Sequence, residues 1–290
     1  MKKQAACHRV ATLCRVLGVS KSGYYAWLYR KPSRRNEENE HLTQRIRTAF
    51  EQNRRAYGSP RIYWELRDEG IACSENRVAR LMRRAGIRVE SLRRFRATTD
   101  SDHVLPVSVN HLGRQFKADA ANTKWASDIT YLWTKEGWLY LAVVIDLFSR
   151  RVVGWSLQAT LRKELVLDAL EMAVQGRKPD AGLLHHSDRG SQYASLAFQE
   201  SLMQIGAVCS MSRQGDCWDN AVVESFFSTL KREMVSRANF ETRKEARLSV
   251  FEWIEVWYNR KRRHAALGNL SPEAFEKQHE TRKRENAIPA

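Results

Sequence analysis

Three carboxylates stand where the surrounding residues lead one to expect apolar or turn positions. Asp128 interrupts the aromatic, strand-prone run Trp125–Leu132, and Asp188 follows the short segment Leu183-Leu184-His185-His186-Ser187. Glu224 lies between Val223 and Phe226-Phe227, a position expected to be buried on a helix. An unpaired carboxylate in any of these settings costs several kcal/mol unless something compensates it. A divalent cation would compensate all three at once. Mg²⁺ takes carboxylate and water oxygens and leaves positions open for a phosphate, and Mn²⁺ can stand in for it. Two such ions about 4 Å apart can activate the attacking oxygen and stabilise the leaving oxygen of an in-line displacement. Lys231 is seven residues after Glu224. On a helix the two share a face about two turns apart, so Lys231 could reach a phosphate beside the one at the metals or simply be exposed.

Positioning these groups falls to an alternating pattern that begins near Thr123. Trp125–Leu132, Trp138–Leu147 and Val152–Leu157 read as three consecutive strands. An amphipathic helix with Leu161, Leu165, Leu167, Leu170 and Val174 on its apolar side is expected next. A short strand Leu183–His186, a helix Leu196–Ile205, a strand Ala207–Met211 and a helix from about Asn220 to Met234 complete the core. A Trp-rich helix with Phe251, Trp253, Ile254, Trp257 and Tyr258 follows, then a basic loop, Asn259–His264. Three meandering strands, helix, strand, helix, strand and further helices is the order of an α/β, ribonuclease H-like fold. It predicts a mixed five-stranded sheet flanked by helices. Asp146 ends a strand and reads as a turn-former, while Asp219 and Asn220 are expected to cap the helix bearing Glu224. One of His185 and His186 is expected to pack on the sheet, with DNA contact as the alternative reading. Trp218 could stack on a splayed base or shield its loop.

The front of the chain predicts small all-α, helix-turn-helix-like domains. Residues 5–30 read as two short helices, with Leu13 and Leu17 as apolar stripe, Gly18 as stop and Ser20 as cap. Residues 31–38 look like a polar linker before a helix bearing Leu42, Ile46 and Phe50. Ser59 and Pro60 are expected to cap and open the next helix, and Ser74-Glu75 to start a third. On that third helix Val78, Leu81 and Met82 form the core stripe, and Arg77, Arg80 and Arg84 share another face, as groove or phosphate docking requires. The expected divisions are 1–35, 36–90, a basic linker 91–118 containing Arg93-Arg94-Phe95-Arg96, a catalytic core 119–280 and a tail 281–290.

Charge distribution agrees with polyanion-binding arms around a carboxylate centre. Of the net +16, residues 1–118 contribute +14, residues 119–229 contribute −3 and residues 230–290 contribute +5. Basic arms supply salt-dependent phosphate affinity through counterion release. The longest apolar stretch, Leu139–Ile145, is far short of the roughly 20 residues of a membrane span, and the N-terminus has no secretory h-region. Five cysteines without a C-x-x-C pair fit a reduced, cytoplasmic, nucleoid-associated chain. Cys217 is the one cysteine placed where a redox role is conceivable.

The blocks Trp125-x-x-Asp128, His186-Ser187-Asp188-Arg189-Gly190-Ser191-Gln192-Tyr193 and Asp219-Asn220-Ala221-x-x-Glu224-Ser225-Phe226-Phe227 resemble the DDE transposase and retroviral integrase superfamily. More narrowly they are similar to the second-frame product of insertion sequences of the IS-three type. Thirty-five residues separate Asp188 from Glu224, as in that family. The resemblance extends to Cys14–Tyr25, to Tyr57-Gly58-Ser59-Pro60-Arg61-Ile62, and to Tyr258-Asn259, Arg263-His264, Leu267-Gly268 and Ser271-Pro272. It implies that Asp128, Asp188 and Glu224 bind two Mg²⁺ ions and nick double-stranded DNA at the terminal inverted repeats. The freed 3′-hydroxyl is then transferred to a second strand through a circular intermediate. Lys231, Arg77, Arg80, Arg84, Arg189, Arg263 and His264 are the DNA-binding candidates. Self-association on DNA, and a fusion to or partnership with an upstream frame, are further implications. A nuclease without strand transfer and a regulator with an inactive core are the competing readings; the three retained carboxylates and the basic arms speak against them.

Overall fold

The computed structural model describes residues 2–89, 107–213 and 217–286. The chain divides into two compact units, Met1–Arg88 and Val89–Ala290. The first is helical: α1 (Val10–Val16), α2 (Lys21–Tyr29), α3 (Arg34–Gln52), α4 (Ser59–Asp68) and α5 (Glu75–Arg84). Gly18, at φ +62°, lies just past the end of α1, and Ser20 Oγ accepts the Gly23 N–H to cap α2. Cys14 and Tyr24 are the buried residues of this pair; Leu17 falls just beyond α1 and is exposed, so the expected Leu13–Leu17 stripe does not form. The polar run 34–38 is the opening of α3, not a linker, because Ser33 Oγ accepts the Asn36 N–H and starts the helix there. Leu42, Ile46, Ala49 and Phe50 of α3, Ile62 and Leu66 of α4, and Val78, Leu81 and Met82 of α5 are the buried stripes of these three helices. Ser59 belongs to α4 and does not cap it, whereas Ser74 Oγ does cap α5 through the Arg77 N–H.

The second unit is built on β1 (Lys124–Thr134), β2 (Gly137–Asp146), β3 (Val152–Gln158), β4 (Leu184–Ser187) and β5 (Val208–Met211). The sheet order is β3-β2-β1-β4-β5. The first three strands form an antiparallel meander, and β4 and β5 run parallel to β1. Helices α6 (Lys163–Arg177) and α7 (Leu196–Gln204) make the crossovers into β4 and β5. Trp125, Ala142, Val144 and Val153 pack with Leu165, Val166, Ala169, Leu170 and Ala173 of α6 and with Phe198 and Leu202 of α7. The buried side of α6 is thus shifted from the expected set: Leu161 precedes the helix and is exposed, and two alanines take central places. The alanines lie where α6 comes against Gly154 of β3. A Cβ at Gly154 would sit 2.1 Å from the Ala169 carbonyl oxygen and 2.8 Å from the Ala173 nitrogen.

After β5 come α8 (Ala221–Glu233), α9 (Arg243–Phe251) and α10 (Pro272–Asn286). The end of α9 widens into a π-helical stretch, Glu252–Tyr258. That register buries Trp253, Ile254, Trp257 and Tyr258 and leaves Phe251 exposed. Trp253 and Tyr258 close on Phe226 of α8 with ring centroids 5.6 and 4.8 Å away. A fully buried ion pair, Arg262 with Glu233 at 2.8 Å, pins the end of α8, and Trp257 Nε1 donates to the same carboxylate. No helix among the described residues is long and apolar enough to cross a membrane.

Because the atoms meeting a Cβ at Gly154 are α6 backbone, Gly154→Ala is expected to cost about 1–3 kcal/mol in urea unfolding, the usual range for overpacking. Stability equal to that of the unaltered protein would show that α6 is not seated this closely.

Candidate active site

Strand register places two of the three carboxylates side by side. Ala126 of β1 pairs with His186 of the parallel strand β4. Asp128 lies two residues beyond Ala126 on β1, and Asp188 two residues beyond His186, just past the end of β4. The pairing of β1 with β4 runs only from Lys124 to Ala126, whereas its pairing with β2 continues to Thr134. The vacated edge of β1 is joined by the start of α8, where Asn220 Nδ2 donates to the Ser127 carbonyl at 3.0 Å. Glu224 stands one turn further along α8, on the same side of the helix.

The electrostatics reflect this convergence. Burial pushes the Asp128 carboxyl well above the usual carboxylate range, and the charge of Asp188 pushes it further. Glu224 adds to the rise, while the Ile129 N–H (2.7 Å from Oδ1) and Lys231 oppose it. Glu224 is also raised by burial, although its side chain still reaches solvent. It was expected to be buried; Val223, Phe226, Phe227 and Leu230 take the buried stripe and Glu224 flanks it. Burial lowers the Lys231 ammonium, and Asp128 opposes that shift. Lys231 Nζ also lies 5.1 Å from the Tyr131 ring centroid. Asp188 Oδ1 accepts the Gly190 N–H at 2.9 Å. Beneath the pair, the fully buried phenol of Tyr193 is raised first by burial, then by Asp128 and Asp188. Among the described residues no three His, Cys, Asp or Glu side chains are close enough to hold a metal ion as they stand. The donor set nevertheless fits a hard divalent cation. It consists of carboxylates whose mutual repulsion such a charge would relieve.

Both histidines are internal. His185 Nε2 meets Ser127 Oγ at 2.8 Å, and His186 spans Ser210 Oγ and Ser212 Oγ at 2.9 and 3.1 Å. Burial lowers them to about 3 and about 4, so both are neutral near pH 7 and neither faces DNA. Asp146 is a buried turn-former that accepts the Asn122 and Phe148 N–H groups. Asn220 occupies the N-cap position of α8 without a capping side-chain bond. Asp219 does not cap either, and its role was missed from sequence. Fully buried, it accepts from the Arg213 N–H and guanidinium, from Arg114 Nε and from Asn110 Nδ2. These donors, Arg213 first, hold it well below the usual carboxylate range. It thereby ties the chain before β1 to the two ends of the loop preceding α8. Arg213, six residues before Asp219, was the only local signal; Arg114 and Asn110 are more than a hundred residues away.

The remaining candidates divide by environment. Arg80 and Arg84 are exposed on α5, whereas Arg77 donates to Asn39 at 3.0 Å and pairs with Glu38. Arg189 Nε donates to the Ser212 carbonyl at 2.6 Å, and Arg263 Nη1 to the Asn269 carbonyl at 3.0 Å. His264 sets its ring edge-on to Tyr258 at 4.9 Å. Trp218 is 68% exposed. Arg93–Arg96 and the Cys217 side chain lie outside the described residues.

Sheet order, crossovers and paired aspartates define an integrase-type polynucleotidyl-transferase core in a chain that also carries a helical, DNA-binding unit. The integrase core domain family model matches residues 118–217, a second one residues 205–272, and an HTH-like domain model residues 37–95. An "Insertion element IS600 uncharacterized 31 kDa protein" of Shigella sonnei is 45% identical over 92% of this chain and 99% of its own length. "Transposase InsF for insertion sequence IS3A" of Escherichia coli K12 is 44% identical over 95% of this chain and 96% of its own. The HTLV-2 integrase catalytic core domain in complex with magnesium superposes with TM-score 0.41 at 17% identity, over 53% of this chain and 96% of that one. The chain belongs to the transposase family of IS3-type insertion sequences.

An Asp128 carboxyl raised above its unfolded value costs nothing while protonated, and progressively more as pH rises from the unfolded value through the folded one. Asp128→Asn should therefore raise the Tm of the metal-free protein at pH 7, the gain shrinking toward about pH 4 where the native carboxyl is protonated. A difference that does not vary with pH would contradict the repulsion described above.

Proposed function

We propose that Asp128, Asp188 and Glu224 are the metal ligands of the cleavage and strand-transfer reactions at the ends of the insertion sequence. The observation that supports this reading is the β1–β4 pairing, which ends two residues before both Asp128 and Asp188, with the charge of Asp188 raising the Asp128 carboxyl. Two Mg²⁺ ions, or Mn²⁺, would supply activation of the attacking oxygen and stabilisation of the leaving one. The chain's own residues set the geometry. Asp128 and Asp188 hold one side of the site and Glu224 closes it from α8. Lys231, with its ammonium drawn toward Asp128, holds the adjoining phosphate. In the first step water attacks phosphorus and the 3′-oxygen leaves. In the second that 3′-hydroxyl attacks another phosphodiester, so the number of phosphodiester bonds is conserved and no energy source is needed. Exposed Arg80 and Arg84 on α5 are the phosphate contacts of the helical unit, while Arg77, Arg189, Arg263 and His264 position neighbouring backbone and helices. Holding two element ends together calls for self-association on DNA, with an upstream-frame partner or fusion adding end recognition.

With a labelled element end and Mg²⁺ or Mn²⁺, the protein is expected to nick one strand and join it. Asp128→Asn, Asp188→Asn and Glu224→Gln should each lose about 10³-fold or more, roughly 4 kcal/mol of transition-state stabilisation, with DNA affinity retained. Joining by all three variants would refute the assignment. Arg80→Ala should weaken DNA affinity and reduce the slope of log K against log salt by about 1. An unchanged slope would remove α5 from the interface.

A further inference from the structure

The far half of β1 carries a cluster of aromatic rings that the core does not use. Tyr131 and Trp133 project from the same face of β1, and Trp138 pairs directly with Trp133 across the hairpin. Nearer the strand start that face is covered: Trp125 is buried in the core, and Ile129 packs against it. Beyond Ile129 the cover ends, and Tyr131, Trp133 and Trp138 are 41%, 57% and 44% exposed. Trp138 meets Tyr131 at 5.2 Å and 89°, and Trp133 at 4.8 Å and 71°. Such edge-to-face contacts hold the rings in place while all three side chains stay partly open to solvent. The hairpin turn is itself tied down: the Lys135 N–H donates to the Phe240 carbonyl, Lys135 pairs with Glu241, and the Arg243 N–H donates to Glu136. The rings are therefore presented on a rigid support.

Two cations border the cluster. Lys231 lies over Tyr131 and is carried on α8 two turns after Glu224, so one helix borders both the rings and the carboxylate site, although Asp128 itself projects from the other face of β1. Arg243 brings Nη2 to the turn at Gly137, where a Cβ would be 3.0 Å away, and its buried Nε has no hydrogen-bond acceptor. Tyr131 follows Asp128 by three residues, roughly 10 Å along the strand. Open ring faces bordered by donors for anions match a flat base joined to a phosphate. A second copy of this face would instead bring together two surfaces that are each bordered by Lys231 and Arg243.

We propose that Tyr131, Trp133 and Trp138 form a stacking site for unpaired bases of the DNA strand flanking the scissile phosphate, with Lys231 and Arg243 taking the adjoining phosphates. This rests on the assignment of the carboxylate site above. A base unstacked from its duplex regains stacking on tryptophan without regard to sequence. The strand leaving the carboxylates is thus held open whatever the flanking DNA.

The test uses the full chain carrying Asp128→Asn, so that cleavage does not intervene, and a 20-nucleotide thymidine oligomer with one 2-aminopurine. Binding should quench the 2-aminopurine fluorescence by stacking. Adding Trp133→Ala should abolish the quench and weaken single-strand affinity roughly 5- to 150-fold, the range for losing one base–aromatic stack. Affinity for a blunt duplex of equal length should change less than about twofold, and Trp133→Phe should recover most of the loss. The Tm should be unchanged because the ring is exposed. Equal single-strand affinity in the alanine variant would overturn the proposal. So would a change in its sedimenting size without DNA, which would assign the face to a second copy of the chain. None of these readouts needs catalysis, so absent nicking by the unaltered protein would sink the site assignment and leave the stacking result to stand or fall alone.

Discussion

Everything about the site follows from bringing like charges together in a partly dry place. The pairing of Ala126 with His186 is an ordinary parallel ladder contact, and Asp128 and Asp188 each follow it by two residues, near enough that the charge of one bears on the other. Two carboxylates there repel each other and are poorly solvated, so both burial and Coulomb repulsion drive Asp128 toward its protonated form. A fold does not accept such a cost without a use for it. The use best matched to oxygen donors at the ends of parallel strands is a divalent cation with a phosphate on its open side.

Support for that arrangement comes from polar side chains bonded to one another behind it. His186 bridges two serines on β5 and the segment after it, and His185 backs Ser127, the residue before Asp128. Asp219 gathers two arginines and an asparagine at the base of the loop that leads into α8. At the other end of α8, Glu233 is locked to Arg262 out of contact with water. A buried pair of this kind adds little net stability but is costly to break on one side, so it holds the helix in one place. Glu224 is thus carried on an element fixed at both ends, and its own exposed side chain is the freest of the three carboxylates.

The sheet was legible because its strands are short apolar and aromatic runs; every expected strand appears within a residue or two of its expected bounds. Asp128 and Asp188 stood out because a carboxylate is conspicuous in an apolar strand. Glu224 was legible as a helix residue but not as an exposed one, since the phase of a helix set by Val223, Phe226 and Phe227 is decided by what packs on it. Long-range polar bonding escaped the sequence altogether. Asp219 read as a cap because caps are local, whereas its actual partners include residues more than a hundred positions away. The start of α3 was misread because charged residues at a capped helix opening look like a linker. The inward shift of α6 depends on Gly154, a neighbour in space only.

The central claim is most directly tested by loading the protein with Fe²⁺ in place of Mg²⁺ and adding ascorbate and peroxide, so that radicals born at the metal cut the nearby backbone. The account predicts cuts clustered around residues 128, 188 and 224 that disappear when excess Mg²⁺ is present. Cuts near only one of these positions, or a pattern indifferent to Mg²⁺, would contradict it.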